Sequence, residues 1–140
     1  MSKNPAFILK GINTEEFALI EEAYNQFEQS GCQFSIKFGS LPNKRIIAVI
    51  VRFTFDQKKT PFLILELGCQ FEVESQSWED ISARNNVVLP VDFARHLASI
   101  SLGVARGVLH AKTESSVLNQ FMVPAIDLQS IIKEELTIIP

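Results

Sequence analysis

The stretch Pro61–Glu74, PFLILELGCQFEVE, decides how this chain is read. Its odd positions are Leu63, Leu65, Leu67, Cys69, Phe71 and Val73, all apolar. Its even positions start apolar with Phe62 and Ile64 and turn polar at Glu66, Gln70 and Glu72. A β-strand sends successive side chains to opposite faces, so one face fills a core. The other face carries apolar surface over half its length. Such surface calls for a subunit interface or an apolar ligand.

Working outward, two more runs alternate in the same way. In Cys32–Gly39, Cys32, Phe34, Ile36 and Phe38 point one way and Gln33, Ser35 and Lys37 the other. In Arg45–Asp56, Ile47, Val49, Val51, Phe53 and Phe55 form one apolar face. Asp56–Thr60 reads as a hairpin loop and Ala6–Ile12 as a short first strand. Four strands with short links predict an antiparallel meander. Phe17, Ile20, Tyr24 and Phe27 recur at helical spacing, and Asn13 with Glu16 resembles a capping box, so Asn13–Ser30 reads as helical.

Beyond the strands, Ser75–Asn86 is polar and reads as a connection. Pro90 or Val91 opens a helix whose apolar stripe is Phe93, Leu97, Ile100, Val104 and Val108. Ala98, Ser99, Gly103 and Gly107 lie beside that stripe. Interior glycines cost a helix about 1 kcal/mol each, so their presence suggests close approach of another helix. Lys112–Gln120 reads as a loop, and Ala125–Leu136 as a last helix with Ile126, Ile131 and Ile132 inward. Strands first and helices last give an α+β class, and the 140 residues fit a single domain spanning 1–140.

Composition narrows the function. Eleven Phe against one Tyr and one Trp, with mean hydropathy +0.15, favour burial between subunits or a groove for apolar partners. The net charge is −3 and the basic residues are scattered, which argues against nucleic acid. The longest aliphatic run, Ile46–Val51, is far too short for a membrane span, and the N-terminus lacks a signal-peptide pattern. The expectation is a cytoplasmic protein without membrane insertion.

Catalytic chemistry finds little support. Cys32, Cys69, His96 and His110 are the whole Cys and His supply, and no two are close in sequence, so no metal site is expected. No nucleophile motif surrounds either histidine. Glu66 and Glu72 stand about 20 Å apart along a strand, too far for an acid/base pair. No glycine-rich phosphate loop is present. The chain is expected to be neither an enzyme nor a user of cofactors.

The order of segments carries a resemblance. FILKGI, QFSIKF, RIIAVIVRFTF, PFLILELGCQFEV, VVLP, FARHLASISLGVARG and FMVPAIDL follow one another as in the SecB-like export chaperones. VVLP with Phe-Ala-Arg and Arg106-Gly107 is similar to that family's L-F-P-Y-A-R…S-R-G segment. Val123–Leu128 is similar to its A-P-V-N-F segment, and Leu65-Glu66-Leu67 to its apolar-Glu-Val stretch. The resemblance implies a four-stranded antiparallel sheet with packed helices, assembled as a homotetramer, a dimer of dimers. It implies ATP-independent binding of unfolded polypeptide clients in apolar grooves. Carried over with Glu66 fixing the register, client contacts would be Ile36, Phe38, Leu63, Leu65, Leu67 and Cys69; with Phe62 fixing it, they would include Phe62 and Ile64. Ser99, Gly103 and Gly107 would lie in the oligomer interface. Glu66 matches the acidic position that meets the motor SecA, and a toxin–antitoxin pair is the partner of other SecB-like members. A scaffold using the same fold, or a small-ligand-binding domain, are the competing readings.

Overall fold

The computed structural model describes residues 5–139. Strands β1 (Phe7–Leu19), β2 (Gly31–Leu41), β3 (Ile46–Gln57) and β4 (Thr60–Val73) form one antiparallel sheet in the order β1-β4-β3-β2. The meander covers β2, β3 and β4. β1 joins at the far side of β4, which makes the order a Greek key. β3 and β4 turn through Lys58 and Lys59, both with positive φ (49° and 67°), as a two-residue hairpin requires.

The odd residues of β3 and β4 explain the architecture. Val49 pairs with Cys69, Val51 with Leu67, Phe53 with Leu65 and Phe55 with Leu63. These side chains share one face and all belong to the buried core. Helix α2 (Val91–Thr113) lies across them. Its buried side is Phe93, Ala94, Leu97, Ala98, Ser101, Leu102, Ala105, Leu109 and Thr113. The small residues in that set let the helix sit close to the sheet. The hydroxyls of Ser101 and Thr113 donate to Leu97 O (2.9 Å) and Leu109 O (2.7 Å), which satisfies them inside the apolar layer. Ile100, Val104 and Val108, expected inward, are only half-buried flank.

Four expectations are corrected. Asn13–Ser30 is not a helix: β1 runs to Leu19, with a single 3-10 turn at Glu21–Ala23. β4 is long enough to offer Phe17 and Leu19 partners in Leu65 and Leu63, and that pairing outweighs a weak helical period. Ser75–Ile81 is helix α1, capped by the Glu74 side chain, which accepts from Gln76 N at 2.6 Å. α2 runs past Lys112, read as the start of a loop, to Thr113 because Leu109 and Thr113 still find burial. The last helix shrinks to α3 (Leu128–Ile131), and Leu136–Ile138 becomes β6, paired with β5 (Val87–Leu89).

Gln57, at the end of β3, is 3% exposed. Its amide accepts from Asn25 N (2.9 Å) and donates to Asn25 O (2.8 Å), Glu28 O (3.3 Å) and Ser30 Oγ (3.1 Å). One side chain thereby fixes the loop that carries the chain from β1 to β2.

Candidate functional site

The second face of β4 proves smaller than its sequence suggests. The β3–β4 register skips Phe62: Phe55 pairs with Leu63 and Asp56 with Pro61. A bulge of this kind leaves the extra residue unpaired and re-aims its side chain. The Phe62 ring is fully buried against Tyr24 (5.1 Å between centroids) and Phe121 (5.0 Å). Of the apolar even positions, only half-buried Ile64 remains on the outer face.

The expected client contacts fall into two groups by burial. Leu63, Leu65, Leu67 and Cys69 are 0% exposed beneath α2, and Phe62 is equally enclosed. They belong to the core that holds the subunit together. Burial also pushes the Cys69 thiol up in pKa, with a Ser101 hydrogen bond opposing it. Ile36 and Phe38 occupy the same sheet face, in register with Val51 and Val49, but on edge strand β2. There they are half-buried, as is Phe34, whose ring packs at 5.2 Å from Phe53. Phe34 belongs to this row, and its place in the alternation of Cys32–Gly39 could have revealed it. β2 is paired on one side only; β6 approaches it but does not join its sheet.

The chain after α2 forms the other wall of this flank. A 3-10 turn, Val117–Gln120, is pinned by fully buried Leu118. Residues 121–135 then run back along α2, without regular structure except for α3 (Leu128–Ile131). Arg106 Nη2 donates to Pro124 O (3.2 Å) and Arg95 Nε to Ile132 O (2.8 Å). Val123, Ile132 and Ile138 are buried, Ile126, Leu128 and Leu136 half-buried, and Met122 and Ile131 exposed.

Glu66 lies on the opposite face of the sheet. Arg52 Nη1 donates to Glu16 Oε1 at 2.7 Å and to Glu66 Oε1 at 3.4 Å, spanning β1, β3 and β4. The Glu16 hydrogen bond is the main cause that raises the Arg52 pKa above its ordinary value, against a smaller opposing effect of desolvation. Ser99, Gly103 and Gly107 line the outer side of α2, where a Cβ at either glycine would meet open space. His96 lies on that helix with its ring 5.5 Å from that of Phe7. β1, the other edge strand, exposes Ile8, Leu9 and Ile12.

Among the described residues, no three His, Cys, Asp or Glu side chains gather as a metal ion would need. No described helix is long and apolar enough to cross a membrane.

A similar fold is seen in a solved structure. The SecB-like chaperone Rv1957 of Mycobacterium tuberculosis, in complex with a ChAD peptide from the antitoxin HigA1, superposes with a TM-score of 0.57 over 86% of this chain and 90% of that one. The fold is SecB-like. Sequence identity to Rv1957 is 14%, so the likeness is one of fold. No family model matches the sequence, and no curated relative does.

Proposed function

We propose that this chain is an ATP-independent chaperone that holds non-native polypeptide segments on the β2 flank. The observation that carries this reading is the coincidence of two features on one edge strand. Phe34, Ile36 and Phe38 form a half-buried apolar row, and the outer backbone edge of β2 is unpaired by its own sheet. An extended segment gains affinity from strand-like backbone pairing and selectivity from apolar side chains, and an unfolded chain offers both. The SecB-like fold adds support, since Rv1957 holds a peptide.

Assembly belongs to the same proposal. β1 exposes Ile8, Leu9 and Ile12 beside a free backbone edge, and α2 presents the smooth face of Ser99, Gly103 and Gly107. Pairing through these two surfaces would build a dimer of dimers and leave the β2 flanks outward. Aggregation of a thermally unfolding client protein tests the function. The purified chain should suppress light scattering at stoichiometric amounts without ATP. A protein that leaves scattering unchanged and does not bind a permanently unfolded polypeptide would sink the reading.

A second reading concerns the partner. The peptide held by Rv1957 comes from an antitoxin, which favours an antitoxin segment as the dedicated client here. Export through SecA draws less support, because Glu66 is already engaged by Arg52. Isolation of the chain from its own host with its bound proteins separates the two.

A further inference from the structure

We infer that residues 121–139 act as a built-in competitor, a strap that covers the client surface and must peel away before a client binds. This rests on the holdase reading for its biological meaning but on independent geometry for its existence. The strap lies against α2 much as a client would. It is mostly irregular, with one helical turn and a short terminal strand; it buries Val123, Ile132 and Ile138, and it half-buries Ile126, Leu128 and Leu136. Two α2 side chains, Arg106 and Arg95, fasten it by its backbone carbonyls, at Pro124 O and Ile132 O. Backbone contacts of this kind do not depend on the identity of the strap's side chains. A client's carbonyls can replace them one for one.

The surface below the strap is apolar. Helical spacing places Arg95, Ala98, Leu102, Arg106 and Leu109 on one stripe of α2. Ala98, Leu102 and Leu109 on that stripe are almost fully buried, and the β2 row of Phe34, Ile36 and Phe38 packs against the same core. Lifting the strap would open a trough between that stripe and β2. The two arginines would stand in it as ready donors.

The two ends of the strap are held unequally. At the near end, Leu118 is fully buried, and Ser116 accepts from Leu118 N (3.0 Å) and donates to Glu21 Oε1 (2.5 Å). At the far end, the hold is the short ladder of Leu136, Thr137 and Ile138 with Leu89, Val88 and Val87. Opening therefore starts at β6 and travels back toward Val117. A closed strap lowers the apparent affinity by the fraction of time the trough is open, so weakening it should tighten client binding.

The test uses the full chain and its Ile132→Ala variant, which loosens the strap and leaves both arginine donors in place. Three readouts are taken: hydrogen exchange of residues 121–139, fluorescence of an apolar-surface dye, and affinity for a reduced, carboxymethylated unfolded polypeptide. The variant should show faster exchange in the strap with the sheet amides unchanged, brighter dye, and roughly tenfold tighter polypeptide binding. Adding the polypeptide to the unaltered chain should speed exchange in 121–139. Slower exchange there, or a released strap with neither dye nor affinity increased, overturns the inference. A brighter dye with no polypeptide bound to either protein keeps the strap and removes the holdase reading. If that variant does not fold, Val123→Ala, which loosens the near half of the strap with both arginines in place, is read in the same way.

Discussion

Leu65→Ala separates a core role for the odd face of β4 from a client-binding one. Leu65 is 0% exposed, paired with Phe53 on β3 and Phe17 on β1, with α2 above. The substitution removes three carbons, worth about 2 kcal/mol in transfer free energy. Sheet neighbours fixed on both sides cannot collapse into the gap. A residual cavity of roughly 60 Å³ adds about 1.5 kcal/mol at the measured cost per unit volume. The total loss should be about 3–4 kcal/mol, a large share of the ~5–15 kcal/mol that a domain has. Ile36→Ala, on the half-buried edge, should cost only about 1 kcal/mol. Urea unfolding read by the single Trp78, which is buried, gives both values; the midpoint should fall with the slope unchanged. Both proteins are compared at one concentration, since assembly links stability to concentration. Client binding should move the other way round, weakened by Ile36→Ala more than by Leu65→Ala at temperatures where both are folded. A Leu65→Ala protein that loses less than ~1 kcal/mol yet no longer binds client would refute the core assignment.

Other outcomes follow from the same structure. Gln57→Ala removes the four hydrogen bonds that fix the β1–β2 loop and should cost about 2–3 kcal/mol, with faster exchange across 24–30. Lys59→Gly relieves a positive φ at the β3–β4 turn and should raise stability by about 1 kcal/mol, seen as a higher urea midpoint. Gly103→Glu places a charge on open helix surface, so subunit stability should hold while native mass spectrometry shows smaller assemblies; an unchanged mass would remove α2 from the interface. The Cys32 thiol is pushed up to about 11, first by desolvation and then by the Asp56 charge. It should stay protonated through pH 8 and react with a disulfide reagent at least ~tenfold more slowly than a free thiol, the rate rising only as pH approaches that value.

The sheet was legible where alternation is unbroken. Apolar residues recur at period two over 32–38 in β2, 47–55 in β3 and 63–73 in β4, and the α2 start follows from Pro90. β1 was legible only as far as Ile12. Phe17, Ile20, Tyr24 and Phe27 happen to fall at helical intervals, and nothing local reports that β4 has an unfilled edge waiting for Phe17 and Leu19. The last helix shortened for a related reason: the apolar residues of 125–136 suit a helix, but α2 takes hold of the chain at Pro124 and Ile132 and only Leu128–Ile131 stays helical. The half-buried apolar row of β2 was legible; the burial of Phe62 on β4 was not. The bulge at Phe62 sends that ring into the core and removes half of the second apolar face. A bulge is a property of two strands in register, and one strand's sequence does not declare it.

The Greek-key order also sets a timetable for synthesis. β1 leaves the ribosome first, yet its nearest partner, Leu63 for Leu19, follows 44 residues later. β2 and β3 can close on each other as soon as they emerge, and β4 then adds through its tight turn. Until that moment β1, with Ile8, Leu9, Ile12 and Phe17 uncovered, is itself a non-native apolar segment of the sort the finished molecule is proposed to hold. Non-local pairing of this kind is slow to form. A newborn chain is thus a candidate client of its own mature copies.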